Sequence, residues 1–342
     1  MTALDLITAG RLRRASRRRT VIAAALAMLL AGFALTLMLG QSFVAPQTVL
    51  RVLAGQEVPG ASFTVGQLRL PRAVLAVLAG LSFGLGGAAF QIMLRNPLAS
   101  PDIIGISRGA SAAAVFAIVV LGIDGPMVSV FAVMAGLGVA MAIYGLSFQG
   151  GIAGTRLILV GIGVSAMLDS FIAYTLSRAP SWDLDQAMRW LTGSVNGVQL
   201  SQALPLLVAL AVFGGLLVSR ARDLEALRLG EDTAAALGTN VALTRVLVIV
   251  AAVGLIAVAT AITGPVAFVA FLSGPIAARI LGPNGSVLVP AGLVGALLVL
   301  GGDYVGQFLL PARFPVGVVT GALGAPYLIW LIVRVNRAGG SL

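Results

Sequence analysis

The sequence predicts an all-α polytopic membrane protein with about ten transmembrane helices and with both termini on the cytoplasmic side. Three observations carry that class. Of 342 residues, 59% are hydrophobic and only 10% are charged, whereas soluble domains carry about 25% charged residues. That much apolar surface exceeds one soluble core, so the bilayer is its solvent. Most of the 43 glycines lie inside apolar runs, where small residues let helices approach closely in lipid.

Taken in order, residues 1–20 form an Arg-rich segment expected in the cytosol, and residues 21–335 form a single transmembrane domain. Its candidate helices are Val21–Leu39, Ala73–Leu94, Ser107–Leu121, Met127–Phe148, Leu157–Leu176, Ala203–Ser219, Val241–Ile262, Val266–Leu281, Val287–Tyr304 and Val316–Val333. Residues 336–342 form a cytosolic tail. A full span needs about 20 apolar residues. The third and eighth runs, at 15 and 16 residues, are expected to be tilted, broken or partly buried in protein. Gly264-Pro265 separates the seventh run from the eighth, because proline removes a backbone donor and clashes with the preceding turn. The two longest polar connections are 177–202, placed outside, and 220–240, placed inside.

Ser16-Arg17-Arg18-Arg19-Thr20 invites comparison with a twin-arginine export signal. The apolar run behind it has about 19 residues, longer than a signal's apolar core of about 7–15, so it reads as an uncleaved first helix. With the N-terminus inside, 16 arginines fall on the inner side and six outside, as the positive-inside rule requires.

Absences narrow the chemistry. The chain has no Lys, so a Walker phosphate loop is impossible and any ATP must be hydrolysed on another chain. Without His or Cys, haem, iron–sulfur and zinc sites of ordinary type are excluded. No cofactor is expected on this chain. The net charge of +10 sits at membrane edges rather than along a soluble face, so nucleic acid is not an expected partner.

The most informative stretch is 67–110. Arg69-Leu70-Pro71-Arg72 stands at one mouth of an apolar run and Asn96-Pro97-Leu98-Ala99-Ser100-Pro101 at the other, followed by Gly105-Ile-Ser-Arg-Gly-Ala110. Further boxes occur at Gly264-Pro265, Gly282-Pro283 and Pro315–Thr320 with Gly324-Ala-Pro326. Together, over roughly residues 20–335, these resemble the permease subunits of ATP-binding-cassette importers for iron–siderophore complexes and cobalamin, the FecCD-type permeases. The resemblance implies two cytosolic ATPase subunits carrying ATP, and a second permease subunit of the same or a related chain. It also implies an extracytoplasmic substrate-binding protein, a ferric siderophore as cargo, and a place in the bacterial cytoplasmic membrane. This chain itself would make no covalent bonds and would not be an enzyme.

Between the sixth and seventh helices, Glu231 and Asp232 follow Gly230 and precede three alanines. Acidic residues favour a helix N-terminus and Gly238 suits a C-cap, so a short surface helix is expected in a segment of about 221–238. Its ordinary reading is a solvated connector. The resemblance implies a coupling helix docked into an ATPase, through Leu229, Gly230, Glu231, Ala234, Leu237 and Gly238. Asn96, Pro97, Ser100 and Pro101 form an inner turn, since two prolines enforce extended or turn geometry and Asn and Ser bond nearby backbone. A second ATPase contact is the functional alternative to a structural elbow.

At the outer mouth, Arg69 and Arg72 either snorkel to the headgroups or, as the resemblance implies, pair with acidic residues of the binding protein. The family often places another Arg a few residues after the acidic residue ending span nine. Here that acidic residue is Asp303 and the later position is Gln307, with Arg313 close by as a substitute. In span eight, most relatives carry Pro-His-Ile-Ala-Arg. Here Gly274-Pro275-Ile276-Ala277-Ala278-Arg279 lacks the His, which leans toward catecholate siderophores.

Asp169 falls within the fifth helix. An ionised Asp at a helix centre costs about 2.5–3.5 kcal/mol on insertion scales, so it must face a polar cavity, other helices, or be protonated. It is either a structural hydrogen-bonding residue or a pathway residue. Two competing functions remain at this level besides cobalamin import. One is a proton-coupled secondary transporter using Asp169 or Asp303. The other is a membrane enzyme, for which no His, Cys or Lys exists.

Overall fold

The computed structural model describes residues 3–99, 105–147, 154–282 and 285–337. Among these residues all regular structure is helical. Seven helices are long and apolar enough to cross a bilayer, and three shorter apolar helices accompany them. Each of the ten predicted runs coincides with one of these ten, except that Phe148, at the end of the fourth run, lies outside the described residues.

The elements in chain order are α1 (Ala3–Met38), α2 (Pro46–Leu53), α3 (Leu70–Met93), α4 (Ile106–Val119), α5 (Pro126–Ser147), α6 (Gly154–Ser177), α7 (Ser181–Thr192), α8 (Ala203–Ala209), α9 (Gly215–Ser219), α10 (Ala221–Leu227), α11 (Glu231–Ala236), α12 (Val241–Thr263), α13 (Val269–Leu281), α14 (Leu288–Tyr304) and α15 (Val316–Arg337). Three π-helical stretches, Ser62–Arg69, Leu210–Gly214 and Val305–Leu309, extend α3, join α8 to α9 and continue α14. Helix α1 runs unbroken through the Arg-rich N-terminal segment from Ala3.

Helix α3 is the axis of the bundle, buried along most of its length and packed against α14, α12 and α13. Its glycines explain why. A Cβ added at Gly80 would lie 2.5 Å from the Cα of Ala296, and one at Gly87 would lie 2.6 Å from the carbonyl carbon of Ala270. Backbones at that separation admit no side chain, so glycine sets the spacing of α3 from α14 and α13. This is how helices associate where lipid offers no hydrophobic gain.

The break between α12 and α13 falls where Gly264-Pro265 predicted it. Gly264 has φ +69°, and α13 begins only at Val269, after Phe268 at φ +63°. The shorter third and eighth runs become α4 and α13, of 14 and 13 residues. The polar connection 177–202, for which no helix is predicted, contains the helix α7. Pro180 precedes it, Asp183 stands in its first turn and Arg189 in its last, and Gly193 at φ +69° ends it. Those signals were available in the sequence. The turn then packs back on the bundle, with Ser194 N donating to Thr263 O at 2.6 Å and Gly317 N to Gly193 O at 3.1 Å.

Candidate functional site

The predicted residues gather at the two ends of the bundle. One end holds a cavity of about 360 Å³ lined by Arg69, Arg72, Asn196, Asp303, Gln307 and Arg313, among others. Four separate stretches of sequence meet there, and the two π-helical stretches deliver two of them: one ends on Arg69 and the other begins two residues after Asp303.

The three arginines at this end differ in kind. Arg69 is buried and donates to its own chain: Nη1 to the carbonyls of Leu37 (2.9 Å) and Met38 (3.0 Å), and Nη2 to the Ser42 carbonyl (2.7 Å). It ties the start of α3 to the end of α1, satisfying carbonyls left open where α1 stops. Arg72 forms a bidentate pair with Asp303, Nε to Oδ2 at 2.5 Å and Nη2 to Oδ1 at 2.7 Å, and reaches Asn196 Oδ1 at 3.3 Å. The Asp303 side chain is only 3% exposed, so the pair welds α3 to α14 from within. Arg313 is exposed, and no ion pair involves it among the described residues. Gln307 donates to the Phe314 carbonyl at 3.4 Å. Of the expected docking arginines, Arg69 and Arg72 are committed within the chain, and Arg313 alone presents its charge outward.

The opposite end carries α10 and α11. Gly230, at φ +110°, turns the chain between them, a conformation that a side chain would strain. Helix α11 ends as predicted on Gly238, at φ +89°. Thr239 N donates to Ala234 O at 3.0 Å and Gly238 N to Ala235 O at 2.9 Å, the paired bonds of a Schellman motif. Leu229 and Leu237 are 65% and 64% exposed, one on either side of α11. Ala234, expected on the docking surface, is instead fully buried against its own chain. Glu231 anchors the element: one carboxylate oxygen pairs with Arg245 of α12 and lies 3.8 Å from Arg95 Nη2. Neither arginine was singled out in the sequence.

Asn96 opens the predicted inner turn, and Arg95 immediately precedes it. Arg95 has φ +51°, and Asn96 Oδ1 accepts from Leu98 N at 2.8 Å, the local bond expected of an Asn turn. Ser100 and Pro101 lie outside the described residues, as does Pro283. Behind the turn, a second cavity of about 360 Å³ is lined by Gln91, Arg95, Asn96, Pro97, Arg228, Gly274 and Pro275. Here two sequence boxes meet. Pro275 has no N–H, so the carbonyl four residues earlier, Phe271, loses its helical partner. Gln91 Nε2 of α3 donates to that carbonyl at 2.9 Å, and Gly274 leaves the space its side chain occupies.

Asp169 belongs to neither end. It pairs with Arg108 Nη1 at 3.1 Å across α4 and α6. Arg108 stands in the first turn of α4, so Asp169, within α6, pairs with a residue at the start of the neighbouring span.

The chain is similar in sequence and in fold to known transport permeases. The sequence model of the FecCD transport family matches residues 28–334. The ferric enterobactin transport system permease protein FepG of Escherichia coli (strain K12) is 38% identical over 293 residues, 84% of this chain and 88% of that protein. The achromobactin transport system permease protein CbrC of Dickeya dadantii (strain 3937) is 37% identical over 331 residues, 95% of each chain. A solved metal-chelate type ABC transporter in an inward-facing conformation superposes with a TM-score of 0.82 at 26% identity, covering 92% of this chain and 99% of that one.

Proposed function

The chain belongs to the FecCD transport family, and from that premise we propose that it is the permease of an ATP-driven importer carrying a ferric siderophore across the bacterial cytoplasmic membrane. The observation that carries this reading is the division of labour between the two ends. One end presents α11, rigidly held by Glu231 and flanked by exposed Leu229 and Leu237, a shape suited to a groove on another protein. The other end presents a cationic rim at Arg313 above the Arg72–Asp303 pair.

In this reading the α11 end faces the cytosol with both termini, and two ATPase subunits dock there. A second permease subunit, identical or related, completes the pathway. A binding protein delivers the chelate at the opposite end. The chain performs no covalent chemistry and needs no cofactor of its own; ATP acts on the partner ATPases. Transport follows from the differential stability of inward- and outward-open states, biased by ATP and by the loaded binding protein.

The structure's placement of the arginines changes how docking is tested. Arg69→Glu would damage the fold and cannot report on a partner, whereas Arg313→Glu leaves every described hydrogen bond in place. The experiment is uptake by an iron-starved deletion strain offered labelled ferric siderophores and labelled cobalamin. Loss of ferric-siderophore uptake alone, restored by the intact gene, supports the reading. Loss of cobalamin uptake alone keeps the architecture and replaces the cargo. Arg313→Glu is expected to reduce uptake and binding-protein affinity while leaving protein levels unchanged; full uptake would reject the docking role.

A further inference from the structure

The middle of the bundle carries an ion pair that this chain leaves half uncovered. Arg108 lies in the first turn of α4 and Asp169 in α6, and their side chains are 52% and 47% exposed. Asp169 stands eight residues before Ser177, the end of α6, and Arg108 eleven before Val119, the end of α4. At 1.5 Å per residue the pair lies about 12–17 Å below that end, near the middle of a hydrocarbon core about 30 Å thick. Charges at that depth face protein or water, not acyl chains.

The surroundings distinguish water from a dry seam. From Asp169 toward the end of α6 the exposed positions include the polar Ser170, Tyr174, Ser177 and then Arg178, interspersed with Phe171 and Ala173, and the Arg178 guanidinium stacks 4.7 Å from the centre of the Tyr174 ring. In the other direction Gly163, Ala166 and Met167 are exposed and offer no polar side chain. The polar track thus begins at the ion pair and opens toward the end that holds Arg72 and Asn196. The pair meets at 3.1 Å between side chains that are about half exposed, unlike the enclosed Arg72–Asp303 pair. A charge pair sealed in a protein seam needs its remaining donors and acceptors satisfied, and this exposure leaves them open to water.

We propose that this face of α4 and α6 walls a water-filled vestibule, floored by the apolar residues below the pair, and that Arg108, held by Asp169, selects anionic cargo at its base. With Arg178 at the rim, the track carries two cations to one anion, so it concentrates negatively charged chelates. The cargo in this proposal rests on the importer reading; the vestibule does not.

The chain has no cysteine, so Ser170→Cys and Ala173→Cys each introduce a single thiol into it, on exposed positions outside the pair. In native membranes holding the complete transporter, modification of this chain is followed with an anionic and a cationic methanethiosulfonate reagent. Both positions are expected to react. Arg108→Gln is expected to lower the anionic-to-cationic rate ratio at least about threefold, the effect of one unit charge a few ångströms away in water, and Asp169→Asn to raise it. No reaction at either position, as in lipid or a dry seam with a second permease, overturns the vestibule. A ratio unchanged by Arg108→Gln overturns the role of the arginine. In uptake, Arg108→Gln is expected to slow a trianionic ferric tris-catecholate more than a neutral ferric tris-hydroxamate. An unchanged anionic rate, or an equal fall for both, rejects selectivity. If the wild-type transporter takes up no ferric chelate, the importer reading fails while the labelling result still decides the vestibule.

Discussion

Replacing Gln91 by Met keeps the length and shape of the side chain and removes its amide. The Phe271 carbonyl then faces a proline that cannot donate, in a place where Gln91 and Phe271 are each only 7% exposed. A buried polar group left unsatisfied costs about 1–3 kcal/mol, while hydrogen bonds between membrane helices average about 0.6 kcal/mol and reach about 1.7 kcal/mol. A 2.9 Å bond to an otherwise orphaned carbonyl belongs at the upper end, so Gln91→Met is expected to destabilise the protein by about 1.5 kcal/mol. The decisive comparison uses Pro275→Ala, which restores an N–H that can serve the same carbonyl. In that background Gln91→Met is expected to cost about 1 kcal/mol less. The assay is reversible unfolding of the purified protein in mixed micelles for the wild type, both single variants and the double variant. A coupling energy within about 0.3 kcal/mol of zero, the scatter of independent sites, would refute the argument that Gln91 compensates for Pro275.

Asp303→Ala strands the Arg72 guanidinium and is expected to cost about 3–5 kcal/mol in the same assay, whereas Arg72→Met with Asp303→Leu recovers most of that loss. Gly87→Leu forces a side chain into the backbone of α13 and is expected to cost at least about 1–3 kcal/mol and to lower the yield of folded protein from membranes. Leu229→Glu and Leu237→Glu, both on exposed side chains, are expected to shift stability by no more than about 0.5 kcal/mol while abolishing co-purification of the ATPase subunits. Retained co-purification would reject α11 as their contact.

Several features were legible in the sequence because they depend on local composition. The apolar runs, the Gly264-Pro265 break, and α11 with its Gly238 cap all follow from transfer energies, proline's missing donor and glycine's access to positive φ. Helix α7 within 177–202 is hidden because twelve residues containing Asp183, Asp185 and Arg189 look polar against such apolar neighbours, although their capping pattern is helical. What the side chains would touch was beyond the sequence. Arg69 and Arg72 stand three residues apart at the same mouth, yet one satisfies the end of α1 and the other pairs with Asp303, 231 residues away. Asp169 announces an unusual charge in a span, but its partner Arg108 stands on another helix, 61 residues earlier in the chain.

The sequence by itself determined that this chain crosses a membrane repeatedly, that it lacks the Lys of a Walker phosphate loop, and where its ten apolar runs lie. Composition, span length and missing residue types suffice for each of these. Only the tertiary structure decided which polar groups remain free for partners. In lipid every buried donor, acceptor and charge must find a partner within the protein or in enclosed water, and those partners come from helices distant in sequence. Packing around α3 therefore commits Arg69, Arg72, Gln91 and Asp303 to holding the bundle together. It leaves Arg313, Leu229, Leu237 and the Arg108–Asp169 pair exposed or half exposed on this chain.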